Sequence, residues 1–508
     1  MIVFINSYNH NKANRFSRFS PAFPPIGIGY LAALAETKNI EFKIFDQQLH
    51  KNIETEIIKS LEGNNLNNLI FAFGVVTPAF IAAKKSALFL KSKYPDAIFI
   101  IGGIHATALP KEIIELNIFD YLIKGEAEES FFKLYEFIVS KSIDIKDING
   151  LIYKKDQTYL NNEKNQVFHS FEKLPQFPYH LFENESRYDI AVILSSRGCK
   201  MNCSFCSHNI ISNYNVRFCP TDIVINDIEL LINTHKKTHI LFLDDNFLEN
   251  HSRVNQLLDL IVLRGFDKKC SFSFQARCDQ INESILQKLY SANFKTVFFG
   301  IETISRNLLK SINKRLTPEI IINAIELAKK YGMNVQASFI FGFPHENHND
   351  RVQTLKFALS NKINIAKFNN LVPYPGTPIF NDSRYINNII FDYDYSNADT
   401  LIALTNGILK KRNLPFFQSK SKDKSIIRFI YLSYFLFYFR FSGFNNLLFN
   451  SKKSIKWIYL KNSKNKIELS KIMSLLQLVI TMSLKFSTIF WYPSKENIFV
   501  WFFSKNKE

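Results

Sequence analysis

Short apolar runs alternate with helical segments along the first 140 residues of the chain. These runs are continuous in Val, Ile, Leu and Phe, which is typical of strands that are buried on both faces. Strands and helices in this succession predict a parallel sheet covered by helices on both sides, a doubly wound α/β domain. The predicted strands cover residues 2–6, 41–46, 68–76, 97–103 and 120–125.

A second alternation with a longer spacing follows. Residues 141–188 interrupt the rhythm and end in the proline- and aromatic-rich stretch LPQFPYHLFENES, which predicts a linker between domains. Six strand–helix units then predict a complete or partly open (β/α) barrel over residues 189–390. The predicted barrel strands cover residues 189–196, 239–245, 271–277, 296–302, 335–342 and 365–374.

Polar and turn-forming residues follow these strands, at the edge where α/β sheets and barrels bind their ligands. All six barrel strands end this way, which favours an enzyme over a structural protein. In the first domain the candidate binding residues are Thr77, Gly102, Gly103, His105, Gly125 and Glu126. In the barrel the candidates are the acids Asp244, Asp245 and Glu302, the base Arg277, and a cysteine-containing loop that begins after Arg197.

The net charge of +18 comes mainly from the end of the chain. Residues 410–508 contain 19 Lys and Arg against 4 Asp and Glu. The wider C-terminal region, residues 391–508, has two apolar stretches (426–441 and 472–493) and all three tryptophans. We expect a mainly helical cap over the barrel mouth, with an interfacial helix on anionic lipid as the alternative. Nucleic acid is not an expected partner, because the basic residues interleave with runs of the buried type.

The cysteine content and the first residues bear on the compartment. Six cysteines in 508 residues are too few for a disulfide scaffold. The start, MIVFINSYNHNK, has no basic leader followed by a long apolar run. We therefore expect a cytoplasmic protein whose clustered cysteines bind metal or take part in catalysis.

The strongest chemical signal is the CxxxCxxC loop formed by Cys199, Cys203 and Cys206. Three thiolates at this spacing can bind three irons of a cubane cluster and leave the fourth iron open. Gly198 lets the chain turn sharply onto such a cluster, and Phe205 could cover a nearby flat ring. Two other interpretations stay open: a closed zinc site completed by His208, or three unrelated buried thiols.

With its motifs taken together, the chain resembles the radical S-adenosylmethionine (SAM) enzymes, in the branch that carries an N-terminal cobalamin-binding domain. The resemblance covers about residues 1–380. The branch includes methyltransferases and oxidative cyclases. It implies a flavodoxin-like first domain and a partial (β/α)6 barrel. Besides the cysteine loop, it rests on PPIGIGYLAAL (24–34), GGIHATALP (102–110), IKGEAEES (123–130), FLDDNF (242–247), FQARCDQI (274–281), FFGIET (298–303), KRLTPE (314–319), FIFGFPHE (339–346) and PYPGTP (373–378).

The resemblance assigns roles to the candidate residues. Cys199, Cys203 and Cys206 would bind a 4Fe–4S cluster whose open iron is chelated by SAM, and SAM cleavage would yield a radical that abstracts hydrogen from an unactivated carbon. The SAM contacts would be Phe205, Asp244, Asp245, Arg277 and Glu302. Cobalamin would bind Thr77, Gly102, Gly103, His105, Gly125 and Glu126. The D-x-H-x-x-G motif of histidine-ligated cobalamin is missing, so we expect cobalt without a histidine ligand and His105 as a rim residue.

These roles lead to a cobalamin-dependent radical SAM methyltransferase as the predicted function. An oxidative cyclase or rearrangement enzyme acting on a tetrapyrrole- or lipid-like substrate is the alternative within the same branch. A zinc-stabilised nucleotide-binding protein is the alternative from another class. The expected partners are a small-molecule substrate that is bulky and apolar, and an electron donor such as flavodoxin or ferredoxin. Peripheral membrane contact through the C-terminal region is a further possibility.

Overall fold

The computed structural model describes most of the first 400 residues and one later helix. The described residues are 1–9, 22–50, 52–64, 66–155, 158–162, 171–182, 188, 191–392, 395–400, 414–416 and 420–439. The second apolar stretch of the C-terminal region and the three tryptophans lie outside them, so the expectations for those residues stay predictions.

The N-terminal domain is built on one mixed sheet. Its strands are β1 (Ile2–Asn6), β2 (Phe42–Asp46), β3 (Ile70–Gly74), β4 (Ile98–Gly102), β5 (Tyr121–Ile123), β6 (Leu151–Lys155) and β7 (Thr158–Asn161). They lie in the order β2-β1-β3-β4-β5-β6-β7. The first five strands are parallel, as predicted, whereas β6 and β7 run antiparallel to their neighbours.

Helices cover both faces of this sheet, which explains the continuous apolar runs. They are α1 (Ile26–Thr37), α2 (Ile53–Leu61), α3 (Phe80–Lys93), α4 (Ile104–Ala108), α5 (Pro110–Ile114) and α6 (Glu128–Ser140). Val3 and Phe71 pack with α2 and α3 on one face. Phe4 and Ile70 pack with α1 and α6 on the other. The predicted doubly wound, flavodoxin-like domain is confirmed.

The predicted linker starts too early, because β6 and β7 form a hairpin that extends the N-terminal sheet. Leu122 of β5 pairs with Ile152, and Tyr153 pairs with Leu160 across the hairpin. Only the first half of β6 is buried, and Lys154 and Lys155 are exposed. A half-exposed strand of this kind lacks the long apolar run by which the parallel strands were recognised. The N-terminal domain therefore extends past residue 140 to about Asn161.

The second domain contains a six-stranded parallel sheet in the order β15-β14-β13-β12-β11-β8. Two short strands, β9 and β10, form a separate antiparallel pair after β8. The ranges are β8 (Ala191–Ile193), β9 (Ser196–Arg197), β10 (Arg217–Phe218), β11 (His239–Phe242), β12 (Ser271–Ala276), β13 (Phe294–Glu302), β14 (Asn334–Phe341) and β15 (Ile365–Asn370). Among the described residues β8 and β15 are the edge strands, which confirms the partly open form of the predicted barrel.

Helices pack against the outer face of this barrel sheet and leave its inner face as the wall of a lumen. They are α8 (Thr221–Asn233), α9 (His251–Leu263), α10 (Glu283–Ser291), α11 (Arg306–Ser311), α12 (Pro318–Lys330) and α13 (His348–Ser360). Two short helices lie elsewhere: α7 (Asn209–Ser212) follows the third cysteine, and α14 (Pro378–Asn381) follows β15. Val297, Phe299 and Phe339 point outward, are fully buried, and belong to one large apolar cluster. The alternating residues of the same strands face the lumen.

The C-terminal helix α15 (Lys420–Phe439) covers the edge and outer face of β15 rather than the barrel mouth. The Phe368 N–H donates to the Tyr434 hydroxyl at 3.1 Å, and the Tyr438 hydroxyl donates to the Ala366 carbonyl at 2.9 Å. The two tyrosines thus satisfy backbone groups that an edge strand leaves unpaired. The first apolar stretch is therefore a packed helix, as expected, but in a different place.

No helix among the described residues combines the length and hydropathy that a membrane span requires.

Candidate active site

The cysteine loop leaves β9 at the rim of the barrel. Gly198 has φ of +104°, and a Cβ at this position would collide with the Asn215 carbonyl oxygen, so only glycine fits. Cys203 is buried, while Cys199 and Cys206 are partly exposed. The Cys206 N–H donates to the Cys203 carbonyl at 3.1 Å, which folds the loop back on itself. The structure therefore places all three predicted thiols on one compact loop.

The environment of these thiols suits an anionic iron–sulfur cluster. Burial raises the pKa of Cys199, and it raises that of Cys206 to about 11. Both side chains would stay protonated at neutral pH until iron displaces the proton. The cations of Lys314 and Arg277 lie within electrostatic reach of the loop and offset the charge that thiolates and a cluster would bring. The donor set thus fits a 4Fe–4S cluster.

The zinc alternative needs four ligands around one ion. His208, its expected fourth ligand, places Nδ1 at 2.8 Å from Asp245 Oδ1 instead. In the part of the chain that the structure describes, no three side chains of His, Cys, Asp or Glu converge closely enough to hold one metal ion. A cubane does not require such convergence, because each thiolate binds a different iron.

Glu302 lies beside a buried cation that the sequence analysis did not single out. Its Oε1 is 3.4 Å from Lys314 Nζ, and its Oε2 accepts a hydrogen bond from Ser338 Oγ at 3.0 Å. Burial alone would lower the pKa of Lys314, but the Glu302 carboxylate raises it above its ordinary value. The KRLTPE motif begins with Lys314 and could have drawn attention to this residue, but the resemblance assigned the motif no role. Glu302 and Lys314 together can bind a zwitterion such as the amino-acid part of SAM.

Gly300 provides the space for this pair, and we expect Gly300→Ala to weaken SAM binding about tenfold. An added Cβ would lie 2.5 Å from Glu302 Oε1 and 3.2 Å from Lys314 Nζ. The flexible carboxylate can move away, so the fold should survive while the pair separates. Equilibrium binding of SAM to the reconstituted protein measures the effect. Gly27→Ala is the matched control, since no atom lies within 4 Å of its added Cβ. Equal affinity of the two variants would contradict the assigned pair.

Two other expected SAM contacts are engaged with the protein itself. Asp244 is 1% exposed and accepts hydrogen bonds from the Ser195 N–H at 2.7 Å, Ser195 Oγ at 2.6 Å and Ser196 Oγ at 2.7 Å. It therefore joins the ends of two strands, which argues against a ligand contact. Arg277 pairs with Asp279 at 2.8 Å and donates to the Lys314 carbonyl at 3.0 Å. Its direct role is to position the segment that carries Lys314.

Phe205 and Asp245 lie close to the cluster loop. The ring of Phe205 meets Phe343 edge-on, with centroids 6.0 Å apart, and Lys314 Nζ is 5.9 Å from its centroid. Asp245 is partly exposed and pairs with His208, which follows the third cysteine by two residues. Together with Glu302, these are the predicted SAM residues whose position still favours a contact with SAM.

The carboxyl edge of the N-terminal sheet is shaped by turns rather than by projecting side chains. Thr77 is buried in the turn after β3, and Gly102 ends β4 with space beside its Cα. Gly103 has φ of +98°, and a Cβ there would lie 2.6 Å from the Val75 carbonyl oxygen. Val76, on the same edge, is an exposed apolar residue. An open, apolar edge of this kind fits a flat macrocycle such as the corrin ring.

His105 is not a rim residue, contrary to expectation. It is fully buried between Phe80 and Tyr395, with ring centroids 4.5 Å and 4.7 Å away. Neither ring nitrogen has a hydrogen-bond partner among the described residues. Burial lowers the pKa of His105 to about 3, so the imidazole is neutral at physiological pH. Its position is consistent with the expectation that no histidine ligates cobalt.

Gly125 and Glu126 lie where the two domains meet. The Gly125 N–H donates to Thr107 Oγ1 at 2.9 Å, which leaves it engaged within the first domain. Glu126 accepts a hydrogen bond from Arg217 at 2.7 Å and pairs with Arg197 at 3.3 Å. The carboxylate of Glu126 thus binds the barrel domain, and its predicted contact with cobalamin has no support in this geometry.

Arg197 is the centre of this interdomain network, which the sequence analysis missed. Its guanidinium lies 2.7 Å from Glu128 and stacks over the rings of Tyr30 and Phe171 at 5.1 Å and 5.2 Å. The side chains of Arg197 and Glu128 are 12% and 6% exposed. No short motif identifies such a network, because its members come from both domains.

The cysteine loop and the carboxyl edge of the first domain are neighbours. Gly376, in the PYPGTP turn, lies between Ile210 of α7 and Ala108 of α4. A Cβ at Gly376 would approach Ile210 Cδ1 to 3.0 Å and Ala108 Cβ to 3.3 Å. The segment after Cys206 therefore packs against the helix that follows β4. The two predicted cofactor regions face each other across the domain interface.

Comparisons with known proteins identify both domains. Residues 17–134 match the B12 binding domain family, and residues 193–358 match the Radical SAM superfamily. An uncharacterized methyltransferase from Pyrococcus horikoshii is 29% identical over 81% of this chain and 88% of its own length. The anaerobic magnesium-protoporphyrin IX monomethyl ester cyclase of Cereibacter sphaeroides is 23% identical over 80% of this chain and 68% of its own.

The fold has a close counterpart among solved structures. The radical SAM methyltransferase TsrM from Kitasatospora setae, solved with cobalamin and a 4Fe–4S cluster bound, superposes with a TM-score of 0.61 at 16% identity. The match covers 74% of this chain and 76% of the other. The chain therefore combines a B12-binding domain, residues 17–134, with a domain of the Radical SAM superfamily, residues 193–358.

Proposed function

We propose that this protein methylates an unactivated carbon of a small molecule. The observation that carries the proposal is the packing of the cysteine loop's α7 against α4 of the B12-binding domain at Gly376. This contact supports the proposal, because it joins the cysteine loop to the helix that follows Gly102 and Gly103. A methyl donor and a hydrogen-abstracting group can then act on the same substrate carbon without release of an intermediate.

The chain's own residues bind and orient the cofactors. When bound, the cluster with SAM supplies a hydrogen-abstracting radical, and cobalamin supplies a transferable methyl group. Cys199, Cys203 and Cys206 would hold the cluster. Glu302 and Lys314 would hold the charged end of SAM. The apolar interface around Ile210 and Ala108 would exclude water from the reacting carbon.

Methyl transfer can be tested with SAM that carries a trideuterated methyl group. The anaerobically reconstituted protein, with cluster and cobalamin, is incubated with this SAM, a reductant and a small-molecule extract of its native host. We expect a new product heavier than its precursor by one trideuteromethyl group in place of hydrogen. Products without deuterium, or no product from a preparation that cleaves SAM, would contradict the proposal.

An oxidative cyclase is the second candidate, because the Cereibacter sphaeroides relative is named as one. Such an enzyme would remove hydrogen from its substrate and form a ring without gaining a methyl group. The same incubation separates the two functions, since a cyclase product is lighter than its precursor and free of deuterium.

The remaining expectations on partners belong to this proposal. A radical SAM enzyme needs an electron for each cleavage, so we infer a cytoplasmic donor such as flavodoxin or ferredoxin. Membrane contact would depend on residues beyond α15 that the structure does not describe, and it stays a prediction.

A further inference from the structure

Among the described residues, the lumen wall of the barrel carries one cation, Lys367, that pairs with no acidic side chain. In the parallel register Lys367 of β15 pairs with Ser338 of β14, and Ser338 pairs with Gly300 of β13. Paired residues of a parallel sheet project from the same face. Ser338 donates to Glu302, so this face is the one that carries the candidate SAM site. Lys367 therefore faces the lumen, at the level of Gly300.

The neighbours of Lys367 on its own strand confirm this direction. Ala366 and Phe368 are fully buried in the outer apolar cluster, whereas Lys367 between them is exposed. Lys367 Nζ lies 5.5 Å from the centroid of Phe298, a residue of β13 on the lumen face. Lys367 is thus exposed on the lumen side of β15, opposite the side that packs in the outer apolar cluster.

Other ionisable groups on this face of the described strands, and in the turns that follow them, are paired within the protein. Glu302 pairs with Lys314, Arg277 with Asp279 and Asp245 with His208. The two ring nitrogens of His239 lie 2.9 Å and 3.0 Å from the Ser271 and Ser273 hydroxyls.

Lys367 has no such partner. No described residue accepts a hydrogen bond from Lys367 Nζ or forms an ion pair with it, and desolvation lowers the pKa of its ammonium group. A partly desolvated ammonium group with no counter-charge among the described residues favours an anion supplied by a ligand.

We propose that Lys367 binds a carboxylate of the substrate inside the lumen. This inference rests on the proposed function and adds the class of substrate: a molecule with an acid group at one end and an apolar body. One unpaired cation matches a carboxylate better than a phosphate monoester, which carries nearly two negative charges. Phe298 offers an apolar wall for the body, and polar side chains surround the acid site. The lumen-facing polar residues near it are Gln275, Gln336, Ser338 and Asn369.

The acid site lies next to the SAM site without being part of it. Ser338 is the register partner of Lys367 and also donates to Glu302. A substrate held by its carboxylate at Lys367 would extend from there toward the rim where Glu302 and the cysteine loop lie. The acid group thereby fixes which carbon of the substrate reaches the cofactors.

Chemical protection of Lys367 tests the binding directly. The reconstituted holoprotein, saturated with SAM, is acetylated in the presence of hexanoate, decanoate or naphthylacetate, or of the methyl ester of each. Mass spectrometry of the Lys367 peptide gives the labelling rate, and the exposed Lys362 is the internal control. We expect at least one acid to slow labelling of Lys367 severalfold while its ester does not.

Three results would overturn the inference. Protection by no acid, or equal protection by acid and ester, would show that Lys367 does not select a carboxylate. Full protection by SAM alone, with no effect of the acids when SAM is left out, would assign Lys367 to the SAM carboxylate instead.

The activity of Lys367 variants separates this inference from the proposed function. We expect Lys367→Gln to form the trideuteromethyl product about tenfold or more slowly than the wild type, with partial rescue in Lys367→Arg. The labelled product should arise only from the acidic fraction of the extract and disappear when that fraction is esterified first. A labelled product from the neutral fraction would overturn the proposal that the substrate carries a carboxylate, but it would support methyl transfer. No labelled product in any fraction would contradict methyl transfer, and the protection experiment would still decide the inference.

Discussion

Replacing Cys199, Cys203 and Cys206 together with alanine is expected to remove the iron from the reconstituted protein and to abolish SAM cleavage. The wild-type chain should bind about four irons, with brown charge-transfer absorbance, because the loop supplies the thiolates of one cubane. No other cysteine pair in the chain has metal-ligand spacing. Iron and sulfide assays, together with release of 5′-deoxyadenosine, measure the effect.

Cys270→Ala is the matched control for this experiment. Cys270 is a buried thiol at the start of β12, at the opposite end of the barrel strand from the rim. We expect this variant to keep the full iron content. Far-ultraviolet circular dichroism should show that the triple variant is folded. If the folded triple variant retained its iron, the assignment of the cluster to this loop would be wrong.

Replacing Arg197 with methionine is expected to cost about 3–5 kcal/mol of unfolding free energy, because it leaves the buried Glu128 carboxylate without its counter-charge. Arg197 pairs with Glu128 and Glu126, whose side chains are 6% and 9% exposed. The variant also loses the stacking on Tyr30 and Phe171. Urea denaturation followed by circular dichroism gives the change in free energy.

The exposed pair of Arg306 and Glu319 provides the comparison. Their side chains are 62% and 65% exposed, so Arg306→Met should cost at most about 1 kcal/mol. Adding Glu128→Gln to Arg197→Met should recover part of the lost stability, since the unpaired charge is then removed, whereas Glu126 keeps its pair with Arg217. Similar losses for Arg197→Met and Arg306→Met would show that the interdomain network contributes little.

The sequence by itself determined the two α/β domains and the cluster loop. Continuous apolar strands between helices have few stable arrangements, because both faces of such a sheet must be covered. The spacing of Cys199, Cys203 and Cys206 is local, so it was readable without a fold. Elements with weaker local signals were missed, as the β6–β7 hairpin shows: half of β6 faces solvent and lacks a continuous apolar run.

The tertiary structure decided which polar residues lie open at the candidate sites and which hold the protein together. Asp244 and Asp245 are adjacent in sequence, yet the first bonds buried serines and the second is partly exposed beside the cluster loop. Glu126 binds the barrel domain. Lys314 became a candidate for SAM binding only through its contact with Glu302 of β13, and Lys367 became a candidate for substrate binding only through its pairing with Ser338 of β14. The physical reason is that a charge acts over a few ångströms of space. Residues that share one ion pair or one lumen are separated here by tens of positions along the chain.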